Sequence, residues 1–333
     1  VSEPCRHIEL LEMQQALAGI FDSQHPNPRR VIRLERESSA YHSSFPLEEL
    51  TIWFENGELL KLIFKNLNPL ELSTEARRAK PFFLDDPLRE IELYRSVLDA
   101  GELGTPICYG SIANADTGRY WLFLEKVAGR ELYQVGDFEI WRQAARWLAK
   151  LHSRYTEPDF LPPTARKRLI QYDAPYYELW LARALSFGNQ ALLRQLADDY
   201  PRRVSELTLL PRTLIHGEFY PSNILAQDSA AVPRICAIDW ERAAWAPGLI
   251  DVAALTAGKW SEQEKTALAL EYYAALRSFR EVPPQTTFLR NWHLCRLHLA
   301  VQWLGWSSDW SPPREHRQDW LAEARDSANR LRD

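Results

Sequence analysis

Three oxygen-bearing side chains, Glu218, Asn223 and Asp239, lie around two short apolar runs. Together they supply what a phosphoryl transfer asks of a protein. Such a transfer needs a carboxylate that orients the attacking hydroxyl and takes its proton, and it needs hard oxygen ligands for magnesium. The segment reads Leu214-Ile215-His216-Gly217-Glu218-Phe219-Tyr220-Pro221-Ser222-Asn223-Ile224-Leu225, then Ile235-Cys236-Ala237-Ile238-Asp239-Trp240-Glu241. The runs Asn223–Ala226 and Ile235–Ile238 flank a turn at Asp228–Pro233. A hairpin there brings Asn223 and Asp239 to one end, where they can share a metal. An Asp closing an apolar strand is expensive without a partner, which weighs against a hairpin that holds no ligand.

Positioning these groups takes a scaffold, and the chain has two halves of different character. Val31–Leu34, Glu49–Glu55, Leu59–Leu67, Ile107–Ile112 and Tyr120–Val127 read as strands, with Asn56-Gly57 marking a hairpin. Arg36–Phe45 is a serine-rich loop, and Pro69–Phe83 reads as a charged loop. Pro87–Leu98 has helical spacing, with Leu88, Ile91, Tyr94 and Leu98 recurring at three and four. Val1–Gly19 reads as a polar-flanked helix without the basic start and apolar core of a signal peptide. After Ala128-Gly129 the chain turns helical: one helix starts near Phe138, and others fill Ala165–Leu207 and Ser261 onward, around the β-rich island Thr213–Asp239. The expectation is an α+β fold of two lobes. Residues 1–127 form a small antiparallel-sheet lobe carrying one helix and binding nucleotide. Residues 128–333 form a larger, mainly helical lobe with the catalytic loop, metal site and acceptor pocket.

The motifs resemble those of the aminoglycoside phosphotransferase and choline kinase family, relatives of protein kinases. In the kinase catalytic loop a carboxylate follows His by two and Asn follows the carboxylate by five, as in His216, Glu218 and Asn223. Ile238-Asp239-Trp240 matches the family strand end, and Asp251-Val252-Ala253 a second family Asp. The match is specific over 213–254. The resemblance implies a two-lobed protein-kinase-like fold that uses ATP and Mg2+. Glu218 would orient the acceptor, Asn223 and Asp239 would ligate the metal, and His216 and Asp251 would support the loop. A lysine on the third strand would hold the phosphates, paired to a helix glutamate. Lys65 fits with Lys61 as the alternative, and Glu90 is favoured over Glu92. Backbone groups of Glu125 and Val127 would meet adenine. Two departures stand out: Glu218 replaces the family Asp, and the phosphate-covering stretch Ser38–Phe45 has no glycine, so serine hydroxyls and backbone N–H groups would take over.

Composition narrows the field. The 333 residues are 46% apolar and 26% charged with a net charge of −5, so there is no basic footprint for nucleic acid. No apolar run reaches membrane-spanning length, and the cysteines at 5, 108, 236 and 295 have no metal or redox spacing. A cytoplasmic enzyme is expected. The expected partner is a small hydroxylated molecule: an aminoglycoside, sugar, amino alcohol or antibiotic-like metabolite. The competing reading is a nucleotide-binding pseudokinase, suggested by Glu218 and the glycine-free loop. A protein kinase fits worse, because about sixty residues separate the second-lobe helix from the catalytic loop and no Ala-Pro-Glu follows Asp239. Trp292, Trp303, Trp306 and Trp310 read mainly as core, with a cage for a cationic substrate as the alternative.

Overall fold

The computed structural model describes residues 8–23, 29–39, 44–98, 100–187, 191–227, 233–306 and 318–332. The chain opens with helix α1 (Leu10–Ser23), then strands β1 (Val31–Ser38), β2 (Leu47–Phe54) and β3 (Leu59–Asn66). Helices α2 (Thr74–Ala79), α3 (Pro87–Ser96) and α4 (Ala100–Leu103) follow, then strands β4 (Cys108–Asn114) and β5 (Arg119–Glu125). The five strands make one antiparallel sheet in the order β1-β2-β3-β5-β4. The β2–β3 turn uses Gly57 at φ 82°, and its N–H donates to Phe54 O at 3.0 Å. That backbone conformation favours glycine.

Side chains alternate between the two faces of a strand, and the sheet uses both faces. Leu50, Ile52, Phe54, Leu62, Phe64, Trp121 and Phe123 pack on Met13, Leu17 and Phe21 of α1. Leu122 and Leu124 point the other way and join the core that contains Ile91, Leu93 and Tyr94 of α3. Lys65 pairs in register with Leu122, so parity puts it on the α3 face. Pro87 at the first turn and the Asp86 side chain, which accepts from Leu88 N, start α3. The sheet thus carries more than the one helix read from the sequence. The supposed loop at 69–83 contains α2, which lacks apolar periodicity and is held by its Ser73 cap on Ala76 N.

Strand β6 (Arg130–Glu131), helix α5 (Phe138–Arg154), α6 (Pro163–Arg166), strand β7 (Ile170–Gln171), α7 (Ala174–Phe187) and α8 (Ala191–Thr208) come next. Strands β8 (Arg212–Ile215), β9 (Ile224–Gln227), β10 (Arg234–Ala237) and β11 (Ala244–Pro247) precede helices α9 (Leu249–Leu255), α10 (Glu262–Arg277), α11 (Gln285–Leu304) and α12 (Trp320–Arg330). Two three-stranded sheets, β10-β9-β6 and β7-β11-β8, sit among the helices. Strands β6, β7 and β11 are two to four residues long, too short to show a period in the sequence.

Helix α5 shows how this part is held. Ile140, Ala144, Leu148 and Leu151 recur on one buried face while Arg146 and Lys150 stay exposed, and Asp137 caps Glu139 N. Truncating Leu148 to Ala would cost about 2–5 kcal/mol through lost transfer energy and a residual cavity. Among the described residues no helix is long and apolar enough to cross a membrane. Cys108, Cys236 and Cys295 are free thiols; Cys5 lies outside the described residues.

Candidate active site

Strand β3, helix α3 and the end of β10 converge on one ammonium group. Lys65 Nζ donates to Glu90 Oε2 at 2.7 Å and to Asp239 Oδ1 at 2.5 Å. Lys65 and Glu90 are buried, and Asp239 is partly open. Burial alone would lower the Lys65 ammonium, but Asp239, Glu90 and Glu241 together hold it above its ordinary value. Burial pushes the Glu90 carboxyl up, with Lys65 opposing it. The second oxygen of Glu90 accepts from Trp240 N at 3.1 Å, which ties α3 to the segment after β10. Lys61 is exposed, and Glu92 pairs with Arg95, so the geometry joins Lys65 with Glu90. Asp239 stands at φ 65°, the one non-glycine residue with positive φ among those described. Left-handed backbone of this kind costs on the order of 1–2 kcal/mol and concentrates at functional sites.

The loop between β8 and β9 is fastened by Asp251 on α9. Its buried carboxylate accepts from His216 N at 2.6 Å and Gly217 N at 2.9 Å. Gly217 has φ 85°, and a Cβ there would meet Arg242 O at 2.2 Å, so this position excludes a side chain. His216 lies between two fixed partners: Nε2 faces Ile238 O at 2.9 Å and Nδ1 faces Glu218 N at 3.2 Å. A carbonyl only accepts and an amide N–H only donates, so the ring is neutral with its proton on Nε2. Burial lowers its pKa, consistent with that form.

Asn223 and Asp239 meet at one end of the β9–β10 hairpin, where Ile238 N donates to Asn223 O at 2.9 Å; the turn at 228–232 lies outside the described residues. Asn223 Nδ2 donates to Glu218 O at 3.0 Å, which leaves its amide oxygen as the atom able to ligate. Among the described residues no three His, Cys, Asp or Glu side chains form a metal-ligand set. One amide oxygen plus one carboxylate suits a hard cation whose remaining ligands are phosphates and water.

Glu218 is largely buried, and Arg242 Nη1 stands 3.4 Å from its Oε1. Burial pushes the Glu218 carboxyl up to about 7, with Arg242 pulling it down and Glu241 and Asp239 adding to the rise. Arg242 is fully buried, and its guanidinium lies 4.8 Å from the centre of the Trp306 ring. Glu241 accepts from Ser44 Oγ at 3.0 Å and Lys80 Nζ at 3.3 Å. Its carboxyl falls to about 2, as Lys80 and Lys65 outweigh burial. Sequence reasoning missed Glu241, Arg242 and Lys80. The first two directly follow Asp239-Trp240 and were open to notice; Lys80 caps α2 and carried no signal. In the stretch Ser38–Phe45, residues 40–43 lie outside the described residues, and Ser44 reaches Glu241.

At the other edge of the sheet, Glu125 N donates to Ile107 O at 2.8 Å, and its carboxylate takes Arg234 at 2.7 Å. Val127 O accepts from Gly129 N at 3.0 Å. Of the four tryptophans read mainly as core, with a cationic cage as the alternative, Trp292 is buried with Arg296 4.7 Å over its ring, and Trp306 carries Arg242. Trp303 stacks on Trp320, and its Nε1 donates to the Tyr220 hydroxyl; Trp310 lies outside the described residues.

A profile of the phosphotransferase enzyme family matches residues 76–292, well over half the chain. No curated protein sequence matches at a significant level. Among solved structures, the choline kinase LicA from Streptococcus pneumoniae is similar at 13% identity and a TM-score of 0.55, over 96% of this chain and 99% of its own. A choline/ethanolamine kinase family protein from Mesorhizobium loti aligns at 14% identity and TM-score 0.54, over 96% and 93%. The GDP complex of aminoglycoside 2'-phosphotransferase-IIIa aligns at 18% identity and TM-score 0.51, over 95% and 99%. At such identities the likeness speaks for the fold, the two-lobed protein-kinase-like arrangement. With the profile match, it follows that the chain belongs to the phosphotransferase enzyme family.

Proposed function

We propose that this protein is a small-molecule kinase that transfers the ATP γ-phosphate to a hydroxyl group with the help of Mg2+. The observation that carries the reading is Lys65 bridging Glu90 and Asp239, beside Asn223 and Glu218. A buried lysine held by two carboxylates is costly to maintain for stability alone. It makes sense where phosphate charge arrives. The solved relatives include one bound to AMP and one bound to GDP, which supports nucleotide use.

In this reading Lys65 meets the phosphates, and Glu90 fixes its position through the bond to Trp240 N. Asn223 Oδ1 and the Asp239 carboxylate hold magnesium, which neutralises phosphate charge when bound. Glu218 orients the acceptor hydroxyl and receives its proton late, since positioning outweighs proton removal in a loose transition state. His216 and Asp251 keep the loop in place. The N–H of Glu125 and the carbonyl of Val127 are engaged, so adenine would use the Glu125 carbonyl and the Val127 N–H. Residues 1–127 form the nucleotide-binding lobe, and residues 128–333 hold the catalytic loop, metal site and acceptor pocket.

The test is a transfer screen with radiolabelled ATP, with and without Mg2+, over hydroxylated metabolites and antibiotics. Label should move to at least one acceptor, and Asp239→Asn should abolish that and weaken metal-dependent nucleotide binding. Nucleotide binding without transfer to any acceptor would favour the pseudokinase alternative. Transfer untouched by Asp239→Asn would overturn the assigned site.

A further inference from the structure

The groups around Glu218 bear on what kind of acceptor can bind there. A cationic alcohol is recognised by an open aromatic face, by an unpaired carboxylate, or by both. Among the described residues, the Trp306 ring and the carboxylates that act on Glu218 are already taken by the protein, and Trp303 is hydrogen-bonded to Tyr220. The Trp306 ring has the Arg242 guanidinium 4.8 Å from its centre, and that arginine is fully buried. The same guanidinium is the cation beside Glu218, at 3.4 Å. Two further carboxylates act on Glu218, and both are neutralised: Glu241 by Lys80 at 3.3 Å and Asp239 by Lys65 at 2.5 Å. Tyr176 OH also faces Arg242, at 3.5 Å from Nη2, so the guanidinium is held from three sides: carboxylate, ring and phenol.

From this we infer that the acceptor carries no cationic nitrogen, being an uncharged or acidic hydroxyl compound, and that Arg242 is the residue that sets this selectivity. The inference rests on the small-molecule kinase reading for the location of the acceptor beside Glu218. An ammonium alcohol whose hydroxyl reached Glu218 would bring a second positive charge close to Arg242 in a water-poor site. Ejecting Arg242 instead would leave Glu218 buried and unpaired, the costlier outcome. An uncharged polyol or a hydroxy acid meets neither obstacle.

The experiment uses probe pairs that differ in charge and little in shape: choline against dimethylbutanol, its uncharged carbon isostere, and glucosamine against glucose. Glycerate serves as the acidic probe. Binding to the full chain is measured by calorimetry with a non-hydrolysable ATP analogue and Mg2+ present, and transfer is measured separately with ATP. The wild-type protein should bind choline and glucosamine no more tightly than their uncharged partners, and the panel should include an uncharged or acidic hit. Arg242→Gln removes the charge and frees the ring, so it should move the choline-to-dimethylbutanol ratio at least tenfold toward choline. Arg242→Lys keeps the charge and should stay near the parent ratio; if Arg242→Gln does not fold, the wild-type ratios and Arg242→Lys decide. A tenfold preference of the wild type for either cation overturns the inference. So does a panel without a single uncharged or acidic hit, or a folded Arg242→Gln with unchanged ratios. The binding arm needs no turnover. Selective binding without transfer would refute the kinase reading and leave the charge rule standing, while transfer to choline with a tenfold preference would do the reverse.

Discussion

Replacing Asp251 by Asn changes one oxygen into an NH2 group and leaves the side-chain shape intact. In the parent both oxygens are in use, one on His216 N at 2.6 Å and one on Gly217 N at 2.9 Å, and the carboxylate is fully buried. The amide can still accept from one of these N–H groups; the other then faces a donor. A hydrogen bond to a charged group contributes about 1.5–3 kcal/mol, and a buried N–H left without an acceptor costs about 1–3 kcal/mol. A neutral amide is cheaper to bury than a carboxylate, which works in the opposite direction. The net expectation is a loss of about 2–4 kcal/mol. Guanidinium unfolding should show a lower midpoint with an unchanged slope. Transfer should fall at least tenfold, since a misplacement near 1 Å can cost on the order of a hundredfold. Nucleotide binding should change less, because Asp251 does not touch Lys65 or Asp239. An unfolding free energy unchanged within about 0.5 kcal/mol would refute the claim that this carboxylate fastens the loop.

Lys65→Met should remove transfer and also destabilise the fold by about 3–5 kcal/mol, because Glu90 and Asp239 lose their shared cation. Adding Glu90→Gln should recover part of that loss, and strictly additive unfolding energies would count against the pairing. Gly217→Ala places a methyl 2.2 Å from Arg242 O at φ 85°, so it should lower both the unfolding midpoint and transfer, and a neutral result would show that the loop yields easily. Glu218→Gln should lose nearly all transfer while still binding nucleotide by calorimetry, and Glu218→Asp should do no better than the parent. In the proposed role Glu218 works as the carboxylate, and burial pushes that carboxyl up to about 7. Transfer should therefore rise with pH through that value and fall about tenfold per unit below it; a flat profile between pH 5.5 and about 7 would contradict that role.

Much of this was legible in the residues because the signals are local. Asn56-Gly57 announced the β2–β3 hairpin, and the spacing of Ile140, Ala144, Leu148 and Leu151 announced α5. The resemblance favoured Lys65 over Lys61, but strand alternation could not separate them, since it puts both on one face of β3; α3 over the far end of the strand buries Lys65 and leaves Lys61 exposed. Glu90 was likewise favoured over Glu92 by resemblance, while the physical reason, its bonds to Lys65 and Trp240 N, lies in the packing around α3. Lys80 was hidden because it caps a six-residue helix with no apolar stripe and acts on Glu241, far along the chain. The pairing of Arg242 with Trp306 was hidden for the same reason: α11 returns late in the sequence, and Trp306, just past its end, reaches Arg242.

A histidine two residues before the carboxylate proposed to orient the acceptor invites reading as a proton shuttle, but both ring nitrogens of His216 are bound, one as donor and one as acceptor. The ring is buried against Trp240 at 4.6 Å. No lone pair remains for an acylating or alkylating reagent, and no site remains for an extra proton without breaking the bond from Glu218 N. Reagents that modify imidazoles should pass this ring by while the loop is folded. Its reactivity on heating would then report when the loop comes apart.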